Sequence, residues 1–312
     1  MSKPKRHHYL PQSYLVGFSA DDGCVCVYDR VRNEYRPQKP LNTGVISHYY
    51  SVIDDKGEKR TDLESELLQF VDGNGISAIK KAQTSTDLDE EDRAKIAVFC
   101  AYLQFRIPNY EKSINHCNEQ ILKKIAEMTF STPERTEAVL AELKEDSNND
   151  SEIDPKEMTE FIQSGKYRIE TDRSFSLRHM IDLSQKMAPI LGMMDWCFLH
   201  PPSGKTFVTC DNPFVLIPPQ GWKPGGWYGF GICTTGARKL IPLASDLCLV
   251  MYDKGEGMFW REASLEETRH INLTITDNCH EYVIARDEAL LRSLVNKTGI
   301  SEREWKPSIN IG

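Results

Sequence analysis

The chain has 312 residues, 40% of them apolar, with nine cysteines and a formal net charge of −8. That apolar share supports a packed core and excludes a disordered chain. The acidic balance excludes general attraction to phosphate backbones, so nucleic acid would have to meet a local basic patch such as Lys3, Lys5 and Arg6.

No run of about 18 apolar residues occurs, so no membrane span is expected. The start has no apolar signal core, and the odd cysteine count shows no pairing rhythm. Reduced thiols and a cytoplasmic location follow as expectations.

Taken in chain order, the sequence opens with Lys5-Arg6-His7-His8-Tyr9, an aromatic and His-rich start that should be ordered against the rest of the protein. Pro11 suits the first turn of a helix reaching about Phe18. Cys24 to Tyr28 and Tyr49 to Ile53 read as strands, giving a small N-terminal sheet or hairpin.

Thr61-Asp62-Leu63-Glu64 has the form of a capping box, with Leu63, Leu67, Phe70 and Val71 following at helical spacing. Gly73 and Gly75 are expected to interrupt or end that helix. Helices are predicted over 87–106, 109–130, 132–145, 155–164 and 174–194, with Pro108 as a bend or stop and Pro189 inside the last. A polar loop is expected over 146–154.

From Asp195 short apolar runs are separated by Gly and Pro. Strands are predicted over 196–200, 206–210, 214–218, 240–243, 247–252 and 282–285, with helices over 264–279 and 287–296. Grouped rather than alternating elements argue an α+β fold: a small N-terminal β element, a central helical region and a C-terminal mostly antiparallel sheet with flanking helices. A single domain over 1–312 is expected, with parts 1–55, 61–194 and 195–312.

Several short motifs coincide. His7-His8-Tyr9-Leu10-Pro11-Gln12 opens the chain, Tyr50-Ser51-Val52 precedes a helix bearing Glu64 and Asp72, and Gln104-Phe105-Arg106 stands before Pro108. Thr209-Cys210-Asp211-Asn212-Pro213, Ile241-Pro242-Leu243 and Asn272 complete the set. Together they resemble a large bacterial family of uncharacterised proteins with a His-His-Tyr-Val/Leu-Pro-Gln opening and a Thr-Ser-Asp-Asn-Pro motif. The resemblance covers nearly the whole chain and implies a domain of unknown function met among mobile and anti-phage defence genes. Two positions depart from the pattern: Cys210 stands where the family has Ser, and Asp72 stands near an expected Glu.

The candidate chemistry rests on polar residues. Histidine shuttles protons near neutrality, so His7 and His8 are candidate catalytic groups; a structural imidazole bonded to backbone is the alternative. Glu64 and Asp72 lie about 12 Å apart along one helix, so they cannot chelate one ion together. Glu64 is also explained as a cap. Arg106 needs an acidic or phosphate partner, with Asp211 or Glu64 as candidates. Asp211 follows an apolar strand and is a candidate catalytic or metal-binding acid, or else part of an Asx turn.

Gln12, Gln104, Asn212 and Asn272 are the candidate substrate-binding residues, carried by the motifs that bear the resemblance. Pro202 to Thr206 ends like a phosphate loop, but Leu199 stands in place of its first Gly. Trp222, Trp227 and Tyr228 can stack on a base or plug a loop.

The expected function is a hydrolase, a nuclease-like phosphodiesterase. His7 or His8 would handle protons, Arg106 would stabilise phosphoryl charge, and Glu64 with Asp211 would hold a divalent ion, Mg or Mn. The alternative is a non-enzymatic binding or sensor protein, with a protein partner and the same residues as an internal network. An enzyme on a small nucleotide such as NAD is a third reading.

Overall fold

The structure is a computed structural model describing residues 6–50, 52–53, 59–60, 62–146, 153–223, 229–255 and 257–302. In chain order its first elements are β1 (Arg6–His8), α1 (Gln12–Val16), β2 (Val25–Asp29), β3 (Glu34–Gln38), β4 (Val45–Ser47), β5 (Val52–Ile53) and β6 (Lys59–Arg60). The helical region follows: α2 (Asp62–Thr84), α3 (Glu90–Phe105), α4 (Pro108–Thr129), α5 (Pro133–Asp146), α6 (Pro155–Gln163) and α7 (Arg173–Gly192). The rest is β7 (Met194–His200), β8 (Thr209–Cys210), β9 (Val215–Ile217), β10 (Arg238–Ala244), β11 (Leu247–Lys254), β12 (Met258–Glu262), α8 (Leu265–Asp277), β13 (Tyr282–Ala285) and α9 (Glu288–Thr298). The fold is α+β, as the grouping of elements predicts.

The described residues separate into two compact units. One comprises everything up to Asn109 together with everything from Leu177 onward. It contains a five-stranded sheet of order β12-β7-β11-β10-β9 and a four-stranded sheet of order β3-β2-β13-β8. The pair β12–β7 is parallel, and the other pairings in these two sheets are antiparallel. The β2–β3 hairpin therefore continues into C-terminal strands: Val27 faces Ile284 across β2 and β13. A shared core of Tyr28, Leu199, Phe207, Val250, Ile275 and Leu294 joins the sheets to α8 and α9.

The second unit covers Tyr110–Ser176 and holds α5, α6 and most of α4. Thr136 and Thr159 share a buried hydroxyl bond of 2.7 Å between α5 and α6, and Asn118 Nδ2 donates to Thr171 Oγ1 at 2.9 Å.

Three local outcomes differ from the sequence reading. Gly73 and Gly75 do not end α2, which runs through both. Gly75 is where α3 comes close: a Cβ there would lie 2.5 Å from the Phe99 Cβ. Pro108 does follow the end of α3 at Phe105, as expected, but it also starts α4, because the first turn has no use for its missing N–H. The edge strands β3 and β12 escaped the reading; half-exposed and charged, they lack the apolar runs of buried strands. The polar loop falls mostly, and Thr61 of the capping box entirely, outside the described residues.

Candidate functional site

The start of the chain is ordered by a return loop. β1 pairs antiparallel with β4, setting His7 opposite Ile46 and His8 opposite Val45. Gly44 lets the chain come back: its φ is +63°, and a Cβ there would lie 2.7 Å from Leu10. The Gly44 carbonyl accepts the Tyr9 N–H at 2.9 Å.

Between β1–α1 and α2 lies a cavity of about 770 Å³. One face of α2 forms a wall, with Leu68, Asp72, Ile76, Ile79 and Gln83 recurring every three or four residues. Leu243 and Ala244 from the end of β10 contribute apolar surface, and His7, His8, Tyr50 and Arg106 line the polar part. Arg6, Gln12, Gln69 and Lys80 are exposed lining residues.

Arg106 caps the C-terminus of α3 and its guanidinium is 2% exposed. Nη1 donates to Asp72 Oδ1 at 2.6 Å and Nη2 to Asp72 Oδ2 at 3.3 Å. Nη2 also donates to the His8 carbonyl at 2.8 Å, and Nε to Tyr50 Oη at 3.4 Å. Burial by itself would lower the Arg106 pKa, but the Asp72 carboxylate and the Tyr50 hydroxyl outweigh it and the net direction is upward. The guanidinium stays charged and ties β1, Tyr50 and α2 together.

His7 is buried, stacked on the Tyr50 ring at 5.5 Å, and its Nδ1 accepts the Tyr50 N–H at 2.8 Å. A lone pair engaged in this way leaves the neutral ring's proton on Nε2. In this tautomer Nε2 has no lone pair to take a proton, and a second proton could enter only at Nδ1, setting Nδ1–H against the Tyr50 N–H. His7 is thus held as a donor at Nε2 rather than a general base.

His8 is half-buried. Burial lowers its pKa, hydrogen bonding to the Thr43 backbone opposes this, and the charges of Arg106 and Arg6 lower it further. The net direction is down, which favours the neutral ring. Its Nδ1 has no hydrogen-bond partner among the described residues.

The structure does not bring Asp211 to this cavity. Its Oδ1 accepts the His280 N–H at 2.8 Å and its Oδ2 the Glu281 N–H at 2.6 Å, while its own N–H donates to Tyr282 O at 3.0 Å. Burial pushes its carboxyl up to about 6 against those backbone bonds. It is near the phenol of fully buried Tyr9, whose pKa is raised first by burial and then by the Asp211 charge. Arg106 therefore pairs with Asp72 and not with Asp211.

The other candidates divide in the same way. Gln12 lines the cavity. Asn212 Nδ2 donates to Asn278 O at 3.3 Å, and Asn278 Nδ2 donates back to Asn212 O at 2.7 Å. Asn272 accepts from Val208 N–H at 3.0 Å and donates to Thr206 O at 2.8 Å, clamping α8 to the segment before β8. Gln104 is half-buried away from the cavity, and its Oε1 has no partner among the described residues.

Glu64 falls in α2, with its side chain outside the described residues. Trp222 sits edge-on to Phe230 at 4.8 Å, while Trp227 and Tyr228 lie outside the described residues. Sequence reasoning missed Lys80, Gln69 and Gln83; the signal available was their spacing along the face of α2 that carries Asp72 and Ile76.

Among the described residues no group of three or more His, Cys, Asp or Glu side chains is placed to hold a metal ion. No helix among them is long and apolar enough to cross a membrane. A family model described as "Protein of unknown function (DUF4238)" matches residues 6–289. No curated protein and no solved structure matches the chain.

Proposed function

The chain belongs to the DUF4238 family, and on that premise we propose that its cavity binds a small phosphate-bearing ligand of nucleotide size. One observation carries this reading: in a chain of net charge −8, the cavity presents Arg6 and Lys80 while its lining carboxylate, Asp72, is neutralised by Arg106. The volume falls within the range of about 300–1,000 Å³ usual for small-ligand sites. Apolar wall residues Leu68, Ile76 and Leu243 suit a base or similar flat group, and Gln12 and Gln69 can bond its polar edge.

In this reading the His7–Tyr50–Arg106–Asp72 network holds the wall. Arg106 does not clamp phosphoryl oxygens, because its N–H groups are largely occupied. Calorimetric titration of the full chain with adenosine monophosphate tests it. Saturable binding is expected, weakened at least about tenfold in an Arg6→Ala, Lys80→Ala variant and by added salt. No binding at millimolar ligand overturns the reading.

A second reading, hydrolysis of a bound phosphodiester, is favoured by the place of the half-buried His8 in the cavity lining. Water would attack phosphorus, His8 would take its proton, and the leaving ester oxygen would depart and be protonated from solvent. Phosphorus NMR of a dinucleotide mixed with the protein tests this: turnover lost in His8→Gln with binding retained supports it, and an unchanged spectrum overturns it.

A further inference from the structure

A second hollow, of about 640 Å³, adjoins the first, and the two share Gln83 as a lining residue. Thr84, Ser85 and Thr86, just beyond the shared glutamine, line its near side, with His200 and Trp260 on the sheet side.

The partition between the hollows is slight. Gln83 Nε2 donates to Asp246 Oδ1 at 2.6 Å, from a half-buried side chain to an exposed one. Rotating Gln83 away breaks that hydrogen bond between two side chains at the surface. The surrounding walls are firmer. Trp260 stacks on Phe198 at 4.8 Å and its Nε1 donates to Ala82 O at 3.2 Å, while His200 Nδ1 lies 3.0 Å from Asp246 O.

We infer that the two hollows form one groove for a single-stranded oligonucleotide, with one nucleotide in the cavity at Arg6 and Lys80 and the next against Trp260 and His200. The inference rests on the phosphate reading above and extends it from one nucleotide to a linked chain. A phosphodiester continuing past Gln83 meets an aromatic wall, hydroxyl groups, and the opposed charges of Arg261 and Glu262, so stacking rather than phosphate attraction would hold this second nucleotide.

Competition binding with adenosine monophosphate and tetra-adenylate, using the full chain, tests it. The tetranucleotide is expected to bind at least about tenfold tighter, since each added stacked base supplies a gain of that order. Thr84→Trp, which fills the second hollow from an exposed position, should abolish the gain and leave monophosphate binding unchanged; His200→Ala should reduce it. A thermal melt checks that both variants fold. Equal affinity for the two ligands, or an equal loss for both in Thr84→Trp, overturns the groove and leaves the phosphate site standing. Failure of both ligands to bind overturns the phosphate site as well.

Discussion

Arg106 and Asp72 meet in a two-point ion pair in the cavity wall, with Nη1–Oδ1 at 2.6 Å and Nη2–Oδ2 at 3.3 Å. The arginine is 2% exposed and the aspartate 18%. Removing Asp72 strands the buried guanidinium, so Asp72→Asn is expected to cost about 3–5 kcal/mol in urea denaturation. Arg106→Met leaves a carboxylate that faces the cavity and should cost less. The Asp72→Asn, Arg106→Met double variant should lose less than the sum of the two singles, and additive losses would show that the pair is not coupled.

Two glycines in α2 should respond in opposite directions. At Gly73 a Cβ meets nothing within 4 Å, so Gly73→Ala is expected to gain up to about 1 kcal/mol from helix propensity. At Gly75 the same methyl would press on Phe99 from 2.5 Å, and Gly75→Ala should cost about 1–3 kcal/mol. Melting temperatures moving the same way would refute the close α2–α3 approach. Because Gly73 lines the cavity, Gly73→Leu should also weaken ligand binding without unfolding the chain.

Asp211 makes stability depend on pH. Its carboxyl is raised from 3.8 to about 6, with burial as the leading cause. A raised folded-state value means the group's contribution is full below 3.8 and is lost as pH rises through about 6, a change of about 3 kcal/mol. Comparing unfolding free energies of the wild type and Asp211→Asn between those limits isolates this part. Parallel pH profiles would show that Asp211 does not titrate in this window.

Asn272 separates a structural from a substrate-binding role. Replacing it with Leu leaves the Val208 N–H and the Thr206 carbonyl unpaired inside the protein, at about 1–3 kcal/mol each. Stability should fall while adenosine monophosphate affinity at the cavity is unchanged. A selective loss of affinity would return Asn272 to the binding machinery.

Much of the chain was legible without coordinates. Helical spacing together with apolar β-runs located the long helices and the buried strands, although the Asp89 and Asp154 caps that begin α3 and α6 emerged only from the structure. The opening His-His-Tyr-Leu-Pro-Gln marked the cavity, which His7, His8, Pro11 and Gln12 all line. The α2 glycines misled because propensity is local, whereas Phe99 arrives from another helix. Lys80 and Gln83 carried no motif, only a shared helix face.

The sequence by itself determined the α+β class and the residues worth watching, because periodicity, capping and turn chemistry act over a few neighbouring positions. Only the tertiary structure decided who partners whom. Asp72 reaches Arg106 across 34 positions, while Asp211 is closed off by two backbone N–H groups about 70 residues away. A lone carboxylate in a sequence is equally suited to an arginine, a metal or a loop amide. The choice belongs to the packing that desolvates it, since burial turns any partner within reach into a requirement.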